Sequence, residues 1–198
     1  LAATLRATHT VQVVTYSEIP EQIDGVLMSS VSKQLPLPVR LAIFTRELWR
    51  ASRTSDLLYV AEGASVGVPS ILIGRLRGIP VVRFFLDDEA RQRAERALYV
   101  GIPEETFVST KQLPLKIRVI QWLQGWVFRH ASRVVVPSKY TQQLLERTHR
   151  IPAERFLVVP TPEESGPSLP FSATRNPLQL LVHTPLTASS GVDHLLEA

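Results

Sequence analysis

Short apolar runs alternate along this chain with segments whose apolar residues recur at helical spacing. The apolar runs predict buried β-strands, and the periodic segments predict helices that pack on them. Strands are predicted at residues 11–15, 56–62, 79–86, 133–137 and 154–160. Helices are predicted at residues 35–52, 65–78, 87–98, 115–132 and 139–149. Residues 16–34 show no clear pattern, so no element is predicted there.

This alternation predicts the fold class. Strands that are apolar throughout are typical of parallel sheets covered on both faces, because a half-exposed strand would alternate between apolar and polar residues. We therefore predict an α/β protein with a Rossmann-like parallel sheet and helices on both faces.

Local signals support three of the helices. Gly78, followed by Ile79-Pro80, predicts a helix end, since glycine tolerates a left-handed conformation and proline cannot continue a helix. Ser138 is predicted to be an N-cap. Leu115, Val119, Leu123 and Val127 recur four residues apart, and we expect their shared face to pack on the sheet.

The C-terminal part of the chain has a different composition. Residues 163–177 are rich in proline and small polar residues, which predicts a linker after a domain at residues 1–162. Residues 178–198 contain one predicted strand and the start of a helix, which is too little for a domain. We interpret them as the truncated start of a second Rossmann-like domain.

Composition excludes several functions. The chain of 198 residues has no cysteine, so disulfides, thiolate zinc sites and cysteine nucleophiles are excluded, and a cytoplasmic location is predicted. No apolar run reaches the roughly 20 residues that span a bilayer. The net charge of +4 is the sole feature that favours nucleic acid, so no nucleic-acid partner is predicted.

Three acidic residues, Asp87, Asp88 and Glu89, follow an apolar run directly. Carboxylates in the first turn of a helix interact favourably with its dipole, which explains one or two of them. Since ligands bind at the carboxyl ends of parallel strands, substrate binding is the second interpretation. A metal site ranks below both: neither the other carboxylates nor the histidines have a diagnostic spacing, and no metal or cofactor is predicted.

The segment from Lys111 to Arg133 is basic and carries Trp122, Trp126 and Phe128. Such a segment could lie on an anionic membrane surface with its tryptophans at the interface. A helix packed on the sheet, with its cations in water, is the favoured interpretation.

Two motifs, at residues 78–94 and 130–141, resemble those of family 4 glycosyltransferases of the GT-B fold. "HASRVVVPSKYT" (residues 130–141) is similar to the family's "ADRVIVPSRYL", and "GIPVVRFFLDDEARQRA" (residues 78–94) is similar to "GKPLVVRVVGDEAWERA". The resemblance extends over residues 1–198. It implies a fragment of a two-domain enzyme, without its first strand, that we expect to be inactive alone.

The resemblance also implies a function. Family members transfer a hexosyl group from a nucleotide-sugar donor to an acceptor, usually with retention, in a cleft between two domains. Partners would then be the donor, a sugar or lipid-linked acceptor, and the inner face of the membrane as a peripheral contact. On this basis Asp88, Glu62 and Ser138 are the predicted substrate-binding residues. Each has an alternative: Ser138 as an N-cap, Glu62 as a solvated side chain, and Asp88 as a helix-dipole partner.

The sequence departs from the family pattern in two places. The family's Trp-Glu pair after the acidic turn is Arg91-Gln92 here, and the Arg and Lys that neutralise the donor diphosphate are missing around His183 to Gly191. Losing those cations would remove charge-assisted hydrogen bonds to the leaving group. A catalytically degraded carbohydrate- or partner-binding protein is therefore an open alternative. A third hypothesis is a membrane-surface adaptor that uses the helix with Trp122 and Trp126.

Overall fold

The computed structural model describes residues 5–18, 23–61, 63–85, 88–97, 107 and 113–160. Six strands and five α-helices lie within these ranges. The strands are β1 (Gln12–Tyr16), β2 (Leu27–Val31), β3 (Leu58–Val60), β4 (Val81–Phe84), β5 (Arg133–Val136) and β6 (Phe156–Val158). The helices are α1 (Leu37–Ala51), α2 (Ala64–Arg77), α3 (Glu89–Arg96), α4 (Leu115–His130) and α5 (Lys139–His149). Short 3₁₀ turns at Ser52–Thr54 and Ala153–Arg155 precede β3 and β6.

All strand pairs are parallel, as the sequence predicts. β1 pairs with β2 in a two-stranded sheet, and the other four strands form a second sheet in the order β3-β4-β5-β6. Helices connect β2 to β3 and each of the later strands to the next. In the four-stranded sheet they supply the crossovers that parallel neighbours need. The fold is α/β with parallel sheets flanked by helices.

One hydrophobic core joins the two sheets. Tyr16 and Val31 from β1 and β2 belong to the same buried cluster as Leu58 and Val60 from β3. A smaller cluster joins α3 to α4 and consists of Ala90, Ala94, Phe107, Leu113 and Ile117. α3 is therefore held against α4 by small alanines, which let the two helices approach closely.

Most predicted elements are confirmed to within a few residues. Gly78 ends α2 in the left-handed conformation with φ 69°, and Ser138 is the N-cap of α5. Strand β2 was not predicted. Its segment, LMSSV, contains two serines and a leucine that is 66% exposed, so it has no continuous apolar run.

The predicted packing face of α4 is wrong. Leu115 is 74% exposed and Val119 47% exposed, whereas Ile117, Val127 and Phe128 are buried. Each four-residue step on a helix rotates about 40° beyond a full turn, so three steps turn the face by about 120°. Leu115 and Val127 therefore cannot share one packing face.

Among the described residues, no helix combines the length and the apolar character needed to cross a bilayer. The predicted linker and the second-domain segment, residues 163–198, lie outside the described residues.

Candidate functional site

The candidate site lies where β3, β4 and β5 end, which we call the carboxyl edge. These three strands are neighbours in one parallel sheet, so the segments after Val60, Phe84 and Val136 emerge side by side. Each leads into the N-terminus of a helix. Parallel α/β sheets bind ligands at such an edge because loops and helix N-termini meet there.

Asp88 is the N-cap of α3. One of its carboxylate oxygens, Oδ1, accepts hydrogen bonds from the backbone N–H of Ala90 at 2.9 Å and of Arg91 at 3.1 Å. The side chain is partly buried, and its position after β4 places it at the carboxyl edge. The helix-dipole interpretation of this residue is thus supported, and the cap fixes where its carboxylate lies.

Glu89, the first residue of α3, does more than the sequence indicates. Its Oε2 accepts a hydrogen bond from the backbone N–H of Ala64 at 2.9 Å, at the first turn of α2. Its Oε1 pairs with Arg93 at 2.6 Å. Gly63 has no Cβ, and a Cβ there would overlap the Glu89 carboxylate. One carboxylate therefore joins the starts of α2 and α3.

Ser138 follows β5 and caps α5. Its hydroxyl accepts a hydrogen bond from the backbone N–H of Thr141 at 3.1 Å and lies 3.0 Å from the Thr141 hydroxyl. The alternative interpretation of Ser138, as an N-cap, is therefore confirmed. The structure brings Ser138 and Asp88 to the ends of adjacent strands, since β4 and β5 are paired.

The remaining sequence-predicted positions cannot be compared with the structure. Glu62 and Asp87 lie outside the described residues, as does the segment from His183 to Gly191. Within the described ranges, no group of three or more His, Asp or Glu side chains is arranged to hold a metal ion. Glu18 follows β1, in the other sheet, and binds the turn after β2, where its carboxylate accepts hydrogen bonds from Ser32 Oγ and the Lys33 backbone N–H.

A buried cation lies beneath the carboxyl edge. Arg83 in β4 is 3% exposed, and its guanidinium donates to the carbonyls of Val60 at 3.0 Å and Phe84 at 2.7 Å. Its Cζ also lies 5.7 Å from the centre of the Phe128 ring. Because Val60 and Phe84 end β3 and β4, this side chain joins the two strand ends directly under the site. Sequence analysis missed Arg83, although a lone arginine inside an apolar run was a usable signal.

Tyr59, next to this arginine in β3, is 42% exposed. Partial burial raises the pKa of its phenol, and the neighbouring Arg83 charge offsets part of that rise. The phenol therefore stays protonated at neutral pH, where it can donate a hydrogen bond but cannot act as a base.

A surface cavity of about 330 Å³ lies at the opposite end of the sheet. It is lined by the C-terminal part of α2, the start of β4 and His130. The Nδ1 of His130 lies 2.7 Å from the Trp126 carbonyl, so that ring atom is already hydrogen bonded. The length of the strands separates this cavity from the carboxyl edge.

The carboxyl edge thus holds a carboxylate, Asp88, and a hydroxyl, Ser138, each fixed at a helix N-terminus. A family model described as "Glycosyl transferase 4-like domain" matches residues 1–162. A search of curated proteins gives no significant match.

Proposed function

The chain belongs to the glycosyl transferase 4-like domain family, and from that premise we propose that the protein moves a sugar from a nucleotide-sugar donor to an acceptor. The acceptor is a sugar or a lipid-linked sugar. In this reaction the bond between the anomeric carbon and a diphosphate oxygen breaks, and a bond to an acceptor oxygen forms. The acceptor hydroxyl loses its proton, the nucleoside diphosphate leaves, and the product retains the anomeric configuration.

The family match over residues 1–162 is the observation that carries this proposal. We assign those residues to the acceptor side of the reaction, residues 163–177 to a linker and residues 178–198 to the start of a donor-binding domain. The protein works in the cytoplasm, with contact at the inner face of the membrane when the acceptor is lipid-linked.

At the carboxyl edge, Asp88 accepts a hydrogen bond from a hydroxyl of the bound sugar. The cap geometry supports this role, since the two N–H groups bonded to Oδ1 hold the carboxylate in one orientation. Because the Asp88 carboxylate is already oriented, it loses little entropy when the sugar binds, and its hydrogen bond contributes more to affinity. Glu62 and Ser138 are proposed as further contacts from the neighbouring strand ends.

Release of nucleoside diphosphate by the full-length protein tests the activity. The protein would be incubated with a panel of nucleotide sugars, with and without a membrane extract as the source of acceptor. Sustained release that depends on the extract is the expected result. Binding of a sugar or partner without any turnover would overturn the proposal in favour of a catalytically degraded binding protein.

The role of Asp88 is tested by Asp88→Ser, because serine is an equally good N-cap but carries no charge. We expect the variant to keep its thermal stability while its KM for acceptor rises about 10-fold, as expected for one lost charged hydrogen bond of roughly 1.5 kcal/mol. Asp24→Ser is the matched control, since Asp24 lies in an exposed turn at the amino end of β2. An unchanged KM in Asp88→Ser would leave Asp88 with its capping role alone.

A further inference from the structure

The outer face of α4 is apolar in its N-terminal half. Leu115 is 74% exposed, Val119 47% and Trp122 61%. Residues spaced by four and then three positions lie on one side of a helix, so these side chains form a single stripe. Large apolar side chains that are exposed together, rather than singly, mark a surface that binds something.

Cations border this stripe, and α4 has no acidic residue between Leu115 and His130. Lys116 and Arg118 are both exposed, and within the described ranges neither forms an ion pair. Arg96 is exposed at the end of α3, the helix that packs against α4. The stripe thus combines exposed apolar side chains with exposed positive charge.

The stripe also lies on the same side of the molecule as the carboxyl edge. α2 and α4 both run away from that edge, and the fourth residue of α2, Gly67, approaches Val127, the thirteenth residue of α4. At 1.5 Å per residue, α4 therefore begins about 13 Å beyond the start of α2. Its first turns therefore stand beyond the strand ends, on the side of the carboxyl edge.

We propose that this stripe, formed by Leu115, Val119 and Trp122 with Lys116 and Arg118 beside it, binds the surface of an anionic lipid bilayer. Tryptophan and short apolar side chains insert at the headgroup boundary, and lysine and arginine are attracted to anionic lipids. A second copy of the chain fits less well, because two such faces would bring like charges together. Docking in this way holds the carboxyl edge close to the lipid surface, and the use of a lipid-linked acceptor there rests on the proposed function.

Co-sedimentation of the purified protein with vesicles tests the inference without any need for transferase activity. Vesicles of phosphatidylcholine alone would be compared with vesicles that also contain phosphatidylglycerol. We expect binding to the anionic vesicles, weak binding to the neutral ones, and release by high salt, since surface electrostatics are screened over about 10 Å at 0.1 M salt.

Two kinds of variant separate the contributions of charge and insertion. The double variant Lys116→Gln and Arg118→Gln should weaken vesicle binding about 30-fold, from roughly 5-fold for each cation near the surface. Trp122→Ala should weaken it several-fold even at low salt. The matched controls are Arg46→Gln with Arg53→Gln, and Trp49→Ala, which change exposed cations and an exposed tryptophan away from the stripe.

Binding that the α4 variants weaken and the control variants leave unchanged supports the inference. It is overturned by an absence of binding to anionic vesicles, or by equal losses in the stripe and control variants. It is also overturned if sedimentation velocity shows a dimer that Trp122→Ala dissociates, because a second copy would then cover the stripe. Donor turnover with a soluble acceptor is measured in parallel, so that failure of membrane docking is distinguished from failure of the proposed function.

Discussion

At the scale of single residues, the acidic cluster has several distinct tasks. Asp88 caps α3, whereas Glu89 reaches back to Ala64, a residue 25 positions earlier in the chain. The cap could be predicted from sequence because it is local. The contact from Glu89 could not, since it depends on β3 and β4 being paired so that the starts of α2 and α3 are adjacent.

We expect the stability of the folded protein to depend on pH through His149. Burial, and secondarily the charge of Arg129, lower the pKa of its imidazole to about 4 from 6.5. The ring packs on Phe128 at 5.4 Å and faces Gly125, where a Cβ would come within 2.8 Å of Nδ1. The unfolded chain therefore takes up a proton near pH 6.5 while the folded protein does not.

Because protonation favours the unfolded state, the free energy of unfolding should fall by about 2 kcal/mol between pH 7 and pH 5. Urea titrations across this range measure the change. His149→Gln should flatten this part of the profile, and His9→Gln, at an exposed position, is the matched control. An equal slope in wild type and His149→Gln would show that His149 is not the group responsible.

At the scale of elements, two sequence-based failures have the same origin. Strand β2 and the outer face of α4 both expose apolar side chains, Leu27 in the strand and Leu115 in the helix. Hydrophobic patterns identify elements whose apolar residues are buried, which is why the central strands were predicted well. They miss a strand such as β2, whose apolar run is interrupted by two serines, and they do not distinguish the packing face of a helix from an exposed face.

The contact between α2 and α4 depends on the lack of a side chain at Gly67. A Cβ at this position would lie 2.8 Å from one methyl carbon of Val127 and 2.9 Å from the other. Gly67→Ala should therefore destabilise the protein by roughly 1–2 kcal/mol, even though alanine favours helix by about 1 kcal/mol over glycine.

In a Val127→Ala background the overlap is gone, and the same Gly67→Ala change should become neutral or stabilising. Thermal or urea denaturation of the two single variants and the double variant measures this coupling. Additive losses in the double variant would mean that the backbone of the helices, rather than the Val127 side chain, limits their approach.

At the scale of the whole molecule, the two sheets differ in how many neighbouring strands and buried residues stabilise them. β1 is hydrogen bonded to a strand on one side, β2, and four of its five residues are partly exposed. By contrast, β4 and β5 each have a strand on both sides, and Val134 and Val136 are fully buried. α1 and a side-chain hydrogen bond of 3.3 Å between Gln12 and Thr54 connect the two-stranded sheet to the rest of the fold.

This difference predicts two levels of local stability. Amides open most readily where few buried contacts hold a backbone hydrogen bond, so those of β1 and β2 should exchange with solvent before those of β4 and β5. Hydrogen exchange followed by mass spectrometry of peptides from each strand measures the order. Comparable protection in all four strands would mean that the shared core, in which Tyr16 and Val31 join Leu58 and Val60, unfolds as one unit. Earlier exchange in β1 and β2 would instead show that the carboxyl edge of β3, β4 and β5 keeps its geometry while the smaller sheet opens.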